Sequence, residues 1–252
     1  MTCEACRTIP PVITQGYTPK GTYEDIAGLN TYVTGPQDAS VGLIDIYDIF
    51  GFSSQTIQGA DLLAIRLNAV VIIPDFFQGD KADPSWLPAD TPDKQQALTK
   101  FVTTRASCPD AVNVLLNNGI PAYRRRFSSV QAWAVTGLCW GGKVAVLASG
   151  ADTPFIASGQ VHPGRMAAED AQRLTIPHLV LASKDEPADV VEAYAKTIAE
   201  KGLGGHVETY TTSIHGWMGA RADLESENSL AEYKRGYNQL ADFFEKYFQQ
   251  AR

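Results

Sequence analysis

One stretch, residues 135–142, constrains the fold more than any other part of the sequence. It reads Val-Thr-Gly-Leu-Cys-Trp-Gly-Gly and overlaps an apolar segment at 131–136 that predicts a buried parallel strand. The residues that follow, 143–148, are mostly apolar and compatible with a helix. The sequence therefore predicts a strand, a tight turn and a helix, with Cys139 at the turn.

The turn has the pattern Gly-x-Cys-x-Gly, which is typical of a strained backbone that holds a nucleophile above the edge of a sheet. Gly137 and Gly141 carry no Cβ that would crowd such a turn. The following helix would point free N–H groups at Cys139, and these favour a thiolate and later an oxyanion. The alternative is a buried cysteine beside a glycine-rich turn, because free cysteine is often buried.

The composition indicates one α/β domain over 1–252, with 1–22 as an extended N-terminal arm. The chain has 252 residues, of which 44% are hydrophobic, enough for a full core. The net charge of −7 comes from scattered acidic residues, which argues against nucleic acid or anionic membranes as partners. The first ten residues do not resemble a signal peptide and no apolar run reaches membrane-span length. We expect a cytoplasmic monomer or homodimer.

The four cysteines are Cys3, Cys6, Cys108 and Cys139, and we expect free thiols in a reduced, intracellular protein. The Cys-x-x-Cys motif at the N-terminus lacks the second ligand pair of a zinc site and precedes any helix or strand pattern. It therefore predicts a flexible or docked N-terminal segment. The four histidines form no His-x-His or His-x-x-His pair, so no metal site is predicted.

Hydrophobic patterning predicts alternating strands and helices. The strands are expected at 31–34, 41–47, 69–74, 131–136, 155–161, 178–182 and 206–211. Besides the helix after the Cys139 turn, helices are expected at 54–67, 93–116 with an interruption near Cys108, 188–201 and 230–248. This order predicts the α/β class, with a mostly parallel central sheet and helices on both faces.

Four polar residues follow predicted strands: Asp48, Cys139, Asp185 and His215. Open parallel sheets bind ligands at the carboxyl ends of their strands, so these side chains should meet at one edge. Nucleophile, acid and histidine follow one another in the chain order of α/β-hydrolases. Cys139 would attack a carbonyl carbon, His215 would hold the thiolate and protonate the leaving oxygen, and Asp185 would fix the imidazole tautomer. Glu186 is a rival for the role of the acid.

Two backbone N–H groups would hold the oxyanion, one from Trp140 and the other from Ile49 in the loop after the second predicted strand. Phe76 and Phe77 are candidate walls of the substrate pocket, with core packing as the alternative. His162 is interpreted as a turn histidine with satisfied hydrogen bonds, with a place in the lining of the pocket as the alternative.

Several motifs together resemble the dienelactone hydrolase (carboxymethylenebutenolidase) family. They are Gly-Leu-Cys-Trp-Gly-Gly, Asp-Ile-Phe-Gly, Ser-Lys-Asp and His-Gly-Trp-Met-Gly-Ala-Arg, while Gly-Tyr-Thr-Pro-Lys-Gly at 16–21 resembles the fungal branch. The resemblance spans essentially the whole chain. It implies a single domain of the α/β-hydrolase fold, no cofactor, and a triad of Cys139, His215 and Asp185 that hydrolyses small esters or lactones.

The resemblance also implies roles around the triad. A carboxylate at the position of Asp48, which is Glu in the bacterial enzymes, holds the resting thiol, and Arg221 would bind a substrate carboxylate. A carboxylate at Asp48 would hydrogen-bond Cys139 if protonated, or raise its pKa if ionised; the alternative is a cap for the helix near Ser54. The family's second substrate arginine is missing from the loop at 76–80, which favours a bulkier or less charged ester or lactone over dienelactone.

Two functions from different classes remain open. The first is a cysteine-dependent hydrolase of small esters or lactones. The second is a non-catalytic or redox-sensing protein on a hydrolase fold, with Cys139 as an oxidisable thiol. A complete triad favours the first, because a binding module has no need of His215 and Asp185 in register with Cys139, whereas the fold alone decides nothing.

Overall fold

The structure is a computed structural model that describes residues 4–13 and 16–251. Its strands are β1 (Thr22–Ile26), β2 (Leu29–Thr34), β3 (Val41–Ile46), β4 (Val70–Pro74), β5 (Ala132–Leu138), β6 (Ser158–Val161), β7 (His178–Ser183) and β8 (Gly205–Tyr210). Its α-helices are α1 (Glu4–Thr8), α2 (Ser54–Leu67), α3 (Pro92–Thr104), α4 (Cys108–Val114), α5 (Ile120–Arg126), α6 (Trp140–Leu147), α7 (Ala168–Gln172), α8 (Ala188–Lys201) and α9 (Glu227–Gln250). A 3-10 turn spans Pro84–Trp86 and a π-helical turn spans Leu115–Gly119.

Within the described ranges, the strands form one eight-stranded sheet in the order β1-β2-β4-β3-β5-β6-β7-β8. β2 pairs antiparallel with both β1 and β4, and the remaining neighbours are parallel. Every residue of β3, β4, β5 and β7 is buried, so both faces of the central sheet are covered. The predicted α/β class with a mostly parallel sheet is confirmed.

The predicted helices agree with the structure, and capping residues explain where they begin and end. The helix at 54–67 is confirmed, with Ser53 as its N-cap and Asn68 in a left-handed conformation at its end. The interruption predicted near Cys108 in the helix at 93–116 is confirmed, because Ser107 caps a new helix with Pro109 in its first turn. The hydrophobic pattern did not predict β1, α5 or α7. β1 is a partly exposed edge strand without an apolar run.

The sequence predicted that the N-terminal arm is extended, but part of the arm is helical in the structure. Residues 4–8 form α1, with Ala5 and Cys6 buried. Beyond α1 the chain remains docked, since the Val12 N–H donates to the Ala220 carbonyl at 2.8 Å. Of the predicted arm, residues 1–3 and 14–15 lie outside the described residues.

The predicted strand–turn–helix around Cys139 is confirmed. Cys139 lies between β5 and α6 with a positive φ of 52°, a strained conformation for a non-glycine residue. A Cβ at Gly137 would lie 2.1 Å from the backbone of Gly141, and one at Gly141 would lie 2.1 Å from the Ile46 carbonyl oxygen. Only glycine at these two positions lets β3, β5 and α6 approach as closely as they do.

None of the described helices is both long and apolar enough to cross a membrane.

The close approach of Gly141 to the Ile46 carbonyl oxygen predicts how a single added methyl group would change the stability of the protein. Gly141→Ala should lower the free energy of unfolding by roughly 1–3 kcal/mol, because overpacked backbone must shift apart. Each kcal/mol should appear as a fall of about 2–4 °C in the midpoint of thermal unfolding. Gly150→Ala is the matched control, since its Cβ would meet only one carbonyl oxygen at 3.4 Å. Equal midpoints for the two variants would contradict the close-approach argument.

Candidate active site

The structure brings the predicted catalytic residues together at one edge of the sheet. Cys139 follows β5, Asp185 follows β7, His215 lies beyond β8, and Asp48 follows β3. The sulfur of Cys139 and a ring nitrogen of His215 lie within 4.8 Å of each other. Both residues are buried, with 2% and 0% of their surfaces exposed, so the site is closed in this structure.

The acid on the imidazole is Glu186, so the prediction of Asp185 is wrong at this contact. The Nδ1 atom of His215 lies 2.6 Å from Oε1 of Glu186, whereas Asp185 accepts the backbone N–H of His215 at 2.7 Å. The turn after β7 explains the exchange. Glu186 points inward, and its other oxygen accepts the Ser183 N–H, whereas Asp185 is exposed to solvent. Asp185 thus fixes the backbone of His215, and Glu186 orients its ring.

Burial determines the protonation states of His215 and Glu186. It lowers the pKa of His215, with the nearby charge of Arg221 as a second cause, so the resting imidazole is neutral. Burial also raises the pKa of Glu186 to about 7. An ionised Glu186 accepts the proton on Nδ1 of His215, which leaves Nε2 without a proton and able to act as a base.

The thiol of Cys139 is held in its protonated form. Burial, followed by the negative charge of Asp48, raises its pKa to about 12. Arg221 and the backbone N–H of Trp140 act in the opposite direction. The Trp140 N–H therefore interacts with the sulfur from the first residue of α6. Ile49 is buried in the loop after β3, and its part in an oxyanion hole stays a prediction.

Asp48 connects two loops of the site. One carboxylate oxygen accepts the Phe50 N–H and the other accepts the Ala220 N–H, both at 2.9 Å. The alternative role as a helix cap is wrong, because Ser53 caps α2. The carboxylate therefore joins the loop after β3 to the segment that follows His215, and its charge lies close to the thiol.

The guanidinium of Arg221 is occupied by the chain itself. Its Nε donates to the Ile9 carbonyl at 2.6 Å, and one terminal nitrogen donates to the Ala5 carbonyl at 3.5 Å. The second terminal nitrogen, Nη1, is buried with no hydrogen-bond partner within the described ranges. The Phe50 ring lies 5.2 Å below the guanidinium. The predicted anion-binding residue thus faces the site, but the N-terminal segment covers it.

Phe76 and Phe77, the two predicted walls of the substrate pocket, differ in burial and in what they contact. Phe77 is fully buried, with its ring centroid 4.6 Å from that of Trp140 and 5.1 Å from that of Phe101. These contacts fit the core packing that the sequence left open as the alternative, and a part for Phe77 in lining the pocket stays a prediction. Phe76 is half-buried and packs edge-on against Trp140 at 5.9 Å.

Cys6 is a residue of the site that sequence reasoning missed. Its sulfur lies 3.7 Å from that of Cys139 and 3.3 Å from Nε2 of His215. Cys6 is disulfide-bonded, so the expectation of free thiols is wrong for it, whereas Cys108 and Cys139 are free. No hydrogen bond joins Cys139 to His215 in the part of the chain that the structure describes. The Cys-x-x-Cys motif was the only signal in the sequence.

The same three side chains are the one group of potential metal ligands among residues 4–13 and 16–251. The ligand atoms of Cys6, Cys139 and His215 all lie within 4.8 Å of one another. Zinc binds cysteine as a thiolate, and a disulfide sulfur carries no such charge. In the state described here the group therefore does not suit a metal ion.

His162 was predicted to be a satisfied turn histidine, and this is wrong. Neither ring nitrogen has a hydrogen-bond partner within the described ranges, and the residue is fully buried. Its ring lies edge-on to that of His215, with centroids 5.1 Å apart, and its φ is 36°. Burial lowers its pKa well below the usual value, so a neutral imidazole lines the site. The sequence signal was the His-Pro-Gly turn directly after a buried strand.

A strained cysteine between a central strand and a helix, with a histidine and a carboxylate from later loops, defines an α/β-hydrolase site. Comparison with known proteins narrows the class. A sequence model of the dienelactone hydrolase family matches residues 29–248. The chain belongs to the dienelactone hydrolase family and is an ester or lactone hydrolase.

Individual relatives agree with this assignment. An uncharacterised AIM2 family protein of Schizosaccharomyces pombe is 34% identical over 242 residues, which cover 92% of this chain and 93% of the relative. A carboxymethylenebutenolidase homolog of Mus musculus is 26% identical over 225 residues, covering 87% and 88% of the two chains. The crystal structure of a putative dienelactone hydrolase from Klebsiella pneumoniae has the same fold, with a TM-score of 0.68 at 19% identity, covering 87% of this chain and 93% of that one.

The contacts of the two neighbouring acids predict different effects on catalysis. Glu186→Gln should reduce kcat for ester hydrolysis by roughly 10³- to 10⁴-fold, because an amide cannot hold the required imidazole tautomer and stabilise the imidazolium. Asp185→Asn retains an acceptor for the His215 N–H and should cost about tenfold or less, because a charged hydrogen bond becomes a neutral one and is not lost. A larger loss for Asp185→Asn than for Glu186→Gln would restore Asp185 as the orienting acid.

Proposed function

We propose that this protein is a cysteine-dependent hydrolase of small esters or lactones, with Cys139 as nucleophile and His215 as base. The observation that carries the proposal is the strained backbone of Cys139 at the start of α6, with a His215 ring nitrogen within 4.8 Å of its sulfur. A non-catalytic protein has no need of this strain or of the Glu186 contact that fixes the His215 tautomer.

The reaction proceeds in two halves. Nε2 of His215 takes the proton of the Cys139 thiol as the sulfur attacks the carbonyl carbon. The backbone N–H groups of Trp140 and Ile49 receive the developing oxyanion. When the intermediate collapses, His215 gives its proton to the leaving oxygen, and a water molecule activated by the same ring then hydrolyses the thioester. Glu186 stabilises the imidazolium in both halves.

Asp48 restrains the thiol between turnovers. Two backbone hydrogen bonds hold its carboxylate, and its charge is the second cause, after burial, of the raised pKa of Cys139. A protonated thiol is a poor nucleophile and resists oxidation, because the thiolate is the reactive form. Substrate that brings its carbonyl to the sulfur and the oxyanion donors would favour the thiolate at the moment of attack.

Arg221 would recognise an anionic group of the substrate. Its guanidinium has a buried nitrogen without a partner among the described residues, and its charge lies close to Cys139 and Asp48. The loop at 76–80 reads Phe-Phe-Gln-Gly-Asp and offers no second arginine. We therefore propose a substrate with one anionic group at most, bulkier or less charged than dienelactone.

Selective alkylation tests the role of Cys139. Iodoacetamide should abolish hydrolysis of p-nitrophenyl acetate in step with labelling of Cys139, ahead of Cys108, which is buried outside the site. Cys139→Ala should be inactive, whereas Cys108→Ala should keep its activity, and EDTA should change neither. Peptide mass spectrometry reads out the modified residue. An inactivated enzyme with unmodified Cys139 would refute the proposal.

The restraint by Asp48 predicts a change in the pH dependence of alkylation. Removing the negative charge in Asp48→Asn should lower the pKa of Cys139, so the variant should react faster with iodoacetamide at a given pH, while substrate turnover falls or is unchanged. The labelling rate is measured from about pH 5 to 9 for both proteins, a range that brackets ordinary histidine and cysteine titration. Superimposable curves would show that Asp48 acts only through its two backbone hydrogen bonds.

A further inference from the structure

Residues 4–13, here called the N-terminal plug, are bound to the rim of the active site along their length. The Arg7 carbonyl accepts the Ala89 N–H at 2.8 Å, and the Ile9 carbonyl accepts Nε of Arg221 at 2.6 Å. Val12 makes two contacts, one to the Ala220 carbonyl and one from the side chain of Gln55 at 2.9 Å. The plug precedes residue 29, where the match to the family begins.

The plug fills the position that a substrate needs. Its carbonyls bind the guanidinium of Arg221, and Cys139 and His215 are almost completely buried while it is in place. Cys6 lies within contact of both catalytic side chains, which share no hydrogen bond with each other in the described ranges. The structure therefore describes a closed state, from which the plug must move before a substrate can enter.

Cys6 not only blocks the active site but also places a disulfide sulfur next to the thiol of Cys139. A disulfide sulfur has no hydrogen to donate, so in the contact between Cys6 and Cys139 only the Cys139 thiol can be a donor. A disulfide sulfur is also an electrophile, and thiolates attack it to form a new disulfide. The two sulfurs are 3.7 Å apart, and a disulfide bond of about 2.05 Å requires them to approach by less than about 2 Å. Nε2 of His215 lies beside both of them as a base.

We propose that Cys6 and Cys139 are a redox modification site, at which a disulfide between them locks the plug into the active site. The Cys139 sulfur attacks the Cys6 sulfur, and the bond between Cys6 and its present disulfide partner breaks. His215 takes the proton of Cys139 and passes it to the departing sulfur, which leaves with the bonding electron pair. One disulfide replaces another, so the exchange consumes no oxidant.

Reduction reverses the lock. A dithiol or reduced glutathione opens the Cys6 disulfide and leaves both sulfurs as thiols, so the plug is held only by its hydrogen bonds. Because Cys139 is also the proposed nucleophile, this inference rests on the proposed function where activity is the readout. Its covalent readout is independent of catalysis.

The test uses the full-length protein in EDTA, equilibrated with a series of oxidised and reduced glutathione mixtures and then quenched with acid and alkylating agent. Trypsin digestion without reductant should yield residues 1–7 joined to 127–143 by one disulfide, and fragmentation should place it on Cys6 rather than Cys3. The ratio of locked to reduced enzyme should rise about tenfold for each tenfold rise in oxidised glutathione over the square of reduced glutathione. Hydrolysis of p-nitrophenyl acetate should fall with the locked fraction and return with dithiothreitol.

Two variants separate the explanations. Cys6→Ser should give no joined peptide, and its activity should respond at least about tenfold less to the glutathione ratio; Cys108→Ser should behave as wild type. The proposal is overturned if wild type forms no joined peptide, or if its activity falls through glutathione on Cys139 alone. Reduced wild type that forms the joined peptide on oxidation but never hydrolyses ester would instead remove the proposed function and leave the modification site standing.

Discussion

The site depends on a backbone contact with no room for a side chain. The start of α6 lies so close to the end of β3 that a methyl group on Gly141 would meet the Ile46 carbonyl oxygen. This contact and the one at Gly137 border the turn in which Cys139 has a positive φ, directly before the N-terminus of α6. The loops that carry Asp48, Glu186 and His215 then need only follow their strands to reach the same edge.

Around this fixed point, the charges are arranged to keep a buried nucleophile inactive. Burial and Asp48 favour the thiol over the thiolate, and burial keeps His215 neutral. Arg221 is the opposing charge, and it is bound by carbonyl oxygens rather than by a carboxylate. Keeping Cys139 and His215 neutral at rest avoids adding two further buried charges, whose removal from water is costly. The ion pair of thiolate and imidazolium need form only when a substrate supplies the oxyanion that benefits from it.

Features that depend on neighbouring residues could be predicted from the sequence, whereas features that depend on contacts between distant residues could not. The strands other than β1 were predictable, and so was the Cys139 turn, because apolar runs and glycine spacing are local signals. The choice between Asp185 and Glu186 was not, since both follow the same strand and only the turn decides which points inward. Cys6 was missed for a related reason. Its importance comes from residues far away in the chain, and a Cys-x-x-Cys motif ahead of any strand gives no hint of where it docks.

Because the N-terminal plug occupies the active site, every ligand of the site must compete with the plug for binding. Such a competitor is always present, so its effective concentration is fixed by the tether and not by expression or dilution. The apparent dissociation constant of a substrate equals its intrinsic value divided by the fraction of molecules with the segment displaced. Affinity can therefore be adjusted by residues that never touch the substrate, such as Gln55 and Ala89, which hold the segment down. The identity of residues 4–13 therefore becomes part of the enzyme's specificity.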